Sequence, residues 1–370
     1  MNRRAEAPHA LWSPKPTDLV ALRDSVGDYL HSPHALTRTV IALANQRGTL
    51  NPNPHNPVAA AQLLFADELL RLRTARLYYV TAQMTAMSVH AGRNLPTWNV
   101  YREDLPSPSG FMVFATPIGS YLTTEYGVDH YVDIVAVSWG QTRITSDPDA
   151  NCWITFWSAT NRELPVEVLR AQGFGYREIR AAIAATTSDL NWDNEVVLSY
   201  NTSDVTLRGT GEKIDPADHT LVSETTIGWV QTVRAAWLMM KATARKPITD
   251  IVEQPLSKTV RKRLERDGYT GDAIQPMRVV NIHTLHRPAR GPRRGPADDA
   301  GDRKWKVKTL VFPHIRWQPY PSRGEIEPIV IGLHQRGPDD APWSTRRHRG
   351  SNTVHLLDRP PGGRPPVSGE

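Results

Sequence analysis

The sequence predicts an α+β protein: N-terminal helices, a central and mainly antiparallel sheet with packed helices, and a C-terminal basic β-hairpin module. Three observations carry this. Apolar residues recur at helical spacing through most of the first 90 positions. Strand-like runs then follow one another with no long helix between them, which suits antiparallel pairing. Near the C-terminus, Pro313-His314-Ile315-Arg316-Trp317-Gln318-Pro319-Tyr320 alternates strictly. In a strand, His314, Arg316, Gln318 and Tyr320 share one face, and Pro313, Ile315, Trp317 and Pro319 the other.

In chain order, residues 17–31 carry Leu19, Val20, Leu22, Val26 and Leu30, and predict a first helix; a second is expected over 35–46. Asn51-Pro52-Asn53-Pro54-His55-Asn56-Pro57 is a connector, because each proline pushes its predecessor out of the helical region. Asn56 caps the next helix, with Pro57 at its first position. The pattern predicts one long helix from Val58 to His90, ending at Gly92. Its apolar stripe would be Leu63, Leu64, Leu70, Leu77, Val80, Met84 and Met87; its wet side would be Asp67, Glu68, Arg71, Arg73 and Arg76.

Strands are expected at Gly110–Ala115, Tyr131–Trp139 and Cys152–Trp157, and near 195–200, where β-branched and aromatic residues concentrate. Helical pieces fall at 165–171 and 176–185, and a longer helix at 223–241 bears Ile227, Val230, Val233, Trp237 and Met240. Pro255 to Arg266 predicts a basic helix: Leu256, Val260 and Leu264 form a stripe, with Lys258, Arg261, Lys262, Arg263 and Arg266 around it. Met277–Leu285 reads as a strand, 287–304 as a flexible linker, 305–345 as the hairpin module and 346–370 as a disordered tail. The domain scheme is thus a helical region over 1–96, a body over 97–245, and a basic helix and strand over 246–286, followed by these three segments.

Composition narrows the function classes. The chain has 370 residues and a net charge of +6, but the charge is uneven. From Pro255 to the end there are 22 Lys and Arg against 12 Asp and Glu, so the excess lies in the C-terminal part. Such asymmetry points to a polyanion, DNA or RNA. The single cysteine, Cys152, excludes an internal disulfide and a cysteine metal cage. No run of about 18 apolar residues predicts a membrane span, and Met1–Pro8 does not read as a secretory signal. The expectation is a cytoplasmic protein with no cofactor and no membrane partner, and with scope for a homo-oligomer.

No metal site is expected. His283 and His286 fall at a strand end and would face different ways, and no His pair at helical spacing brackets a glutamate. Gly209-Thr210-Gly211-Glu212-Lys213 lacks the spacing of a phosphate loop and reads as a turn. Glu103 with Asp104, and Asp298 with Asp299, read as solvated loop carboxylates.

The His314-x-Arg316-x-Gln318-x-Tyr320-Pro321-Ser322 motif is followed by Gly337-Pro338-Asp339-Asp340 and a proline two residues on. With these, the chain resembles a group of uncharacterised actinobacterial proteins of plasmids, phages and genomic islands. The Met277–Val280 strand, the Leu95-Pro96 helix exit and Gly110–Ala115 resemble that group too. The resemblance implies a mobile-element setting and no activity. Ile315 and Pro319 stand where the group would carry aromatics, which speaks against base stacking in this hairpin.

Three functions remain open. In a nucleic-acid-binding protein, Lys258, Arg261, Lys262, Arg263, Arg266, Arg316, Gln318 and Arg323 would meet phosphates or bases. In a metal-independent nuclease or toxin, His314 would be acid or base, Arg316 or Arg323 would stabilise charge and Tyr320 would orient the substrate. In a structural or interaction protein, another strand would cover the polar row.

Overall fold

In this computed structural model the described residues are 12–45, 51–53, 55–93, 95, 99–125, 128–145, 147–160, 163–179, 188–202, 205–207, 213–214, 225–241, 249–282, 309–311, 314–320, 325–331 and 334–336. The expected linker over 287–304 and the tail over 346–370 lie outside them, as do His283, His286 and Gly209–Glu212.

The elements run α1 (Leu19–Leu30), α2 (Pro33–Asn45), α3 (Pro57–Thr74), β1 (Arg76–Val80), α4 (Ala82–Gly92), β2 (Gly110–Phe114), β3 (Gly119–Glu125), β4 (Val128–Gly140), β5 (Asn151–Ala159), α5 (Glu163–Ala171), β6 (Leu190–Ser199), β7 (Val205–Leu207), β8 (Lys213–Ile214), α6 (Thr226–Lys241), β9 (Thr249–Gln254), α7 (Lys258–Arg266), β10 (Met277–Ile282), β11 (Thr309–Val311), β12 (His314–Tyr320), β13 (Glu325–Ile331) and β14 (His334–Arg336).

Ten strands form one sheet in the order β8-β7-β6-β5-β4-β2-β1-β10-β9, with β3 also on β4. Only β1 pairs in parallel, with β2 and with β10; the other pairings are antiparallel. The architecture is the α+β class the sequence predicts. Side chains that alternate along the strands feed two cores. Tyr78, Val80, Met112, Phe114, Val137, Trp139 and Ile154 pack with α4 and α6. Leu77, Tyr79, Phe111, Val113, Trp153 and Trp157 pack with α1, α2, α3 and Leu264 of α7. The sheet is therefore covered by helices on both faces.

The long helix expected over 58–90 is two helices with a strand between them. Leu70, Leu77 and Met84 stand seven apart, which mimics one continuous stripe, but Tyr78-Tyr79-Val80 takes the extended backbone favoured by aromatic and β-branched residues. All five residues of β1 are buried, and α4 is the crossover that parallel pairing of β1 with β2 requires. The helical exit at Gly92 stands as expected. The predicted wet side of α3 is also corrected. Leu63 and Leu70 are 51% and 38% exposed, whereas Asp67, Glu68 and Arg71 are buried, with Glu68 at 0%.

These three charges turn inward because the sheet offers them partners. Arg71 bridges both Asp67 and Glu68. Glu68 accepts from the hydroxyls of Ser138 on β4 and Thr155 on β5, the latter at 2.8 Å. Asp67 accepts from the Thr142 hydroxyl at 2.7 Å and the Arg143 backbone N–H at 3.1 Å. The indoles of Trp157 and Trp153 donate onto Ser138 and Thr155 at 2.9 and 3.0 Å. Burial by itself lowers the pKa of Arg71, but the Glu68 and Asp67 carboxylates outweigh it and hold the guanidinium above its ordinary value.

β4 and β6 each carry a bulge. Ile134 and Ala136 pair with Ser158 and Trp157, leaving Val135 extra, and Trp192 and Asn194 pair with Trp157 and Phe156, leaving Asp193 extra. Cys152 is fully buried, and desolvation pushes its thiol up to about 12, which makes it an inert core residue.

The chain divides into two compact units, Met1–Arg287 with Pro313–Gly332, and Pro288–Phe312 with Leu333–Glu370. In the first, β12 and β13 pair as an antiparallel two-stranded sheet; in the second, β11 pairs with β14.

Candidate nucleic-acid interface

Helix α7 forms where the sequence places it. Ser257 caps its N-terminus, accepting from the Val260 backbone N–H at 3.2 Å. Gly268, at φ +86°, reverses the chain at the other end, where Gly268 and Tyr269 donate to the carbonyls of Glu265 and Leu264. Leu264 is fully buried, and Val260 and Leu256 pack beside it, so one face is anchored and the basic face is exposed.

The cations of that face differ in their surroundings. Arg263 pairs with Asp24 of α1 at 2.6 Å, and the Tyr269 hydroxyl donates to the same carboxylate at 3.2 Å. The Arg23 guanidinium, fully buried, stacks 3.9 Å from the Tyr269 ring centroid and donates to the Ala273 carbonyl at 3.3 Å. Its pKa is lowered by burial, against the pull of Tyr269 and Asp24. Arg263 is therefore part of the contact that holds α7 against α1. Arg261 pairs with Glu265 at 3.0 Å and Arg266 with Asp267 at 3.2 Å. Lys258 and Lys262 are exposed, and neither has an ion-pair partner among the described residues. The Asp24 contact, spanning 239 residues, carries no local sequence signal.

β12 places His314, Arg316, Gln318 and Tyr320 at alternate positions, in register with Ile331, Ile329, Glu327 and Glu325. Arg323 lies outside the described residues. The register brings two acidic residues opposite the Gln318 to Tyr320 end of the row. Six steps of paired strand, about 20 Å of extended backbone, separate His314 from Tyr320, the first and last of the three proposed nuclease residues.

Among the described residues no group of three or more His, Cys, Asp or Glu is placed to hold a metal, and no helix is long and apolar enough to cross a membrane. Among the carboxyls of the described residues, Asp193, the bulged residue of β6, has a displaced titration. Burial raises its carboxyl to about 6; the Tyr121 hydroxyl, donating to it at 2.8 Å, and the Arg38 charge pull it down, and Glu195 pushes it up. A folded-state value above the ordinary one means that the folded protein keeps this proton when the unfolded chain has lost it. The group therefore removes stability as pH rises from about 4 to about 6. The variant Asp193→Asn is expected to be about 1–3 kcal/mol more stable than the wild type at pH 7.5, with the difference vanishing near pH 4, as read by urea unfolding at each pH.

No family model matches the chain, and no curated protein matches it. One solved structure, the crystal structure of AcrVA2, is similar at 10% sequence identity and a TM-score of 0.35, over 86% of this chain and 94% of that one. A likeness at that level carries no argument about fold or function.

Proposed function

We propose that this chain binds DNA or RNA in the service of a mobile genetic element, in replication, maintenance or regulation. The observation that supports this reading is α7: a capped and anchored helix whose exposed face carries five cations, two of them, Lys258 and Lys262, without carboxylate partners among the described residues. Such a helix can neutralise phosphates at the cost of few existing ion pairs. The mobile-element setting rests on the resemblance of the C-terminal motif, and a cytoplasmic location and a homo-oligomer belong to the same reading.

Charge reversal separates the phosphate-binding lysines from the structural arginine. Lys258→Glu with Lys262→Glu is expected to lower affinity for duplex DNA by about 10- to 100-fold, and to reduce the log–log salt slope by about 1.8 for two lost phosphate contacts. The unfolding midpoint should stay unchanged. Arg263→Ala is expected instead to cost up to about 1 kcal/mol of stability, because it leaves Asp24 with only its longer contact to Arg23, at 3.6 Å, and the Tyr269 hydroxyl. An unaltered slope in the double lysine variant would remove α7 from the interface.

A further inference from the structure

The connection after α5 presents a different surface. Residues 170–178 are all exposed, a run ended by buried Ile179. Despite that exposure the backbone is fixed at both ends. Gly173, at φ +84°, closes α5, with Gly173 and Phe174 donating to the carbonyls of Arg170 and Leu169, both at 3.0 Å. Gly175 opens the next helical turn, 176–179: its N–H donates to the Glu178 carboxylate at 2.8 Å, and its carbonyl accepts from Ile179 at 3.1 Å.

Phe174 stands between these two glycines and Tyr176 directly after the second, 46% and 69% exposed. Helix caps of this kind draw a hydrophobic residue partly against the helix ends, which accounts for the covered half of Phe174. They account neither for its open half nor for Tyr176. Arg170 and Arg177 flank the two rings, and neither has an ion-pair partner among the described residues. Glu178, the carboxylate within the exposed run, is engaged by the Gly175 N–H. The turn is thus aromatic, locally cationic and already ordered.

We infer that this turn is a stacking platform for a single-stranded nucleic acid: Phe174 and Tyr176 each take the face of a base, and Arg170 and Arg177 the flanking phosphates. Resting on the nucleic-acid reading above, it names the form of polymer. Charge complementarity selects a polyanion, and open ring faces select one whose bases are not already stacked in a duplex. A preformed turn loses little conformational freedom on binding.

The test is fluorescence anisotropy of the full chain with labelled oligothymidylate, oligouridylate and a DNA duplex at two salt concentrations. Phe174→Ala with Tyr176→Ala is expected to weaken single-strand binding about 100-fold, roughly tenfold per ring, with the salt slope and duplex affinity unchanged. Phe174→Trp, which keeps a ring, should bind as the wild type does. Arg170→Gln with Arg177→Gln should lower the single-strand slope by about 1.4. All four positions are exposed, so circular dichroism and unfolding midpoints should match the wild type. Single-strand affinity of the double alanine variant equal to wild type, or an equal loss on duplex, overturns the platform. If the wild type binds and the α7 lysine variant is weakened while the ring variant is not, the platform alone falls. Wild-type protein that retains no polymer at low salt removes both readings.

Discussion

Replacing Arg71 with alanine is expected to destabilise the protein by about 3–5 kcal/mol, the largest effect of any single charge removal among the described residues. The guanidinium is buried between Asp67 and Glu68, and it stands 5.4 Å from the Trp153 ring centroid. Without it, two carboxylates share a dry interface between α3 and the sheet, held by the hydroxyls of Ser138, Thr142 and Thr155 and by the Arg143 backbone N–H. The cost is that of leaving buried charge unpaired rather than the net value of the ion pairs. Removing all three charges, as Asp67→Asn, Glu68→Gln and Arg71→Met together, is therefore also expected to recover a large part of the loss. Denaturant unfolding of both proteins decides it: a triple variant no more stable than Arg71→Ala would mean that packing around Arg71, not charge, sets the penalty.

Gly110→Ala is the second large effect, expected at about 3 kcal/mol from overpacking. Gly110 on β2 stands opposite Trp139 on β4, and a Cβ there would lie 2.1 Å from the indole ring. The indole has nowhere to go. It is fully buried, donates to the Ser107 carbonyl at 3.0 Å, and packs against Tyr78 and Trp237 with ring centroids at 5.5 and 5.1 Å. Because the clash is with one side chain, the penalty should couple to it. Trp139→Phe in the Gly110→Ala background should cost less than Trp139→Phe alone, and a double-mutant cycle by urea unfolding measures the difference. Additive losses would place the strain in the β2 backbone instead.

The parts of this fold that are legible in the sequence are those whose signal is local. β2, β4 and β5 follow from runs of β-branched and aromatic residues; α7 follows from Ser257, the Leu256–Val260–Leu264 stripe and Gly268. β1 is hidden because Leu70, Leu77 and Met84 continue a helical period through it, although Tyr78-Tyr79-Val80 already argues for a strand. Asp67, Glu68 and Arg71 defeat the rule that charges face water, and their partners lie 70 to 87 residues away for Ser138, Thr142 and Thr155. In the candidate interface, the basic face of α7 is visible from residue types alone. That Arg263 belongs to Asp24 depends on how α7 docks on α1. Phe174 and Tyr176 carry a signal that composition hides, a Gly-aromatic-Gly-aromatic-Arg run, whose meaning depends on both rings staying exposed.

The proposed nucleic-acid binding can be read by titrating the wild-type protein against labelled duplex DNA, single-stranded DNA and RNA across a range of salt concentrations, with product lengths read from the same samples. Retention of at least one polymer is expected, with an affinity that falls linearly on a log–log plot with salt and products of unchanged length. Absence of retention on every polymer at low salt would contradict it and leave the basic face of α7 as a solvated surface.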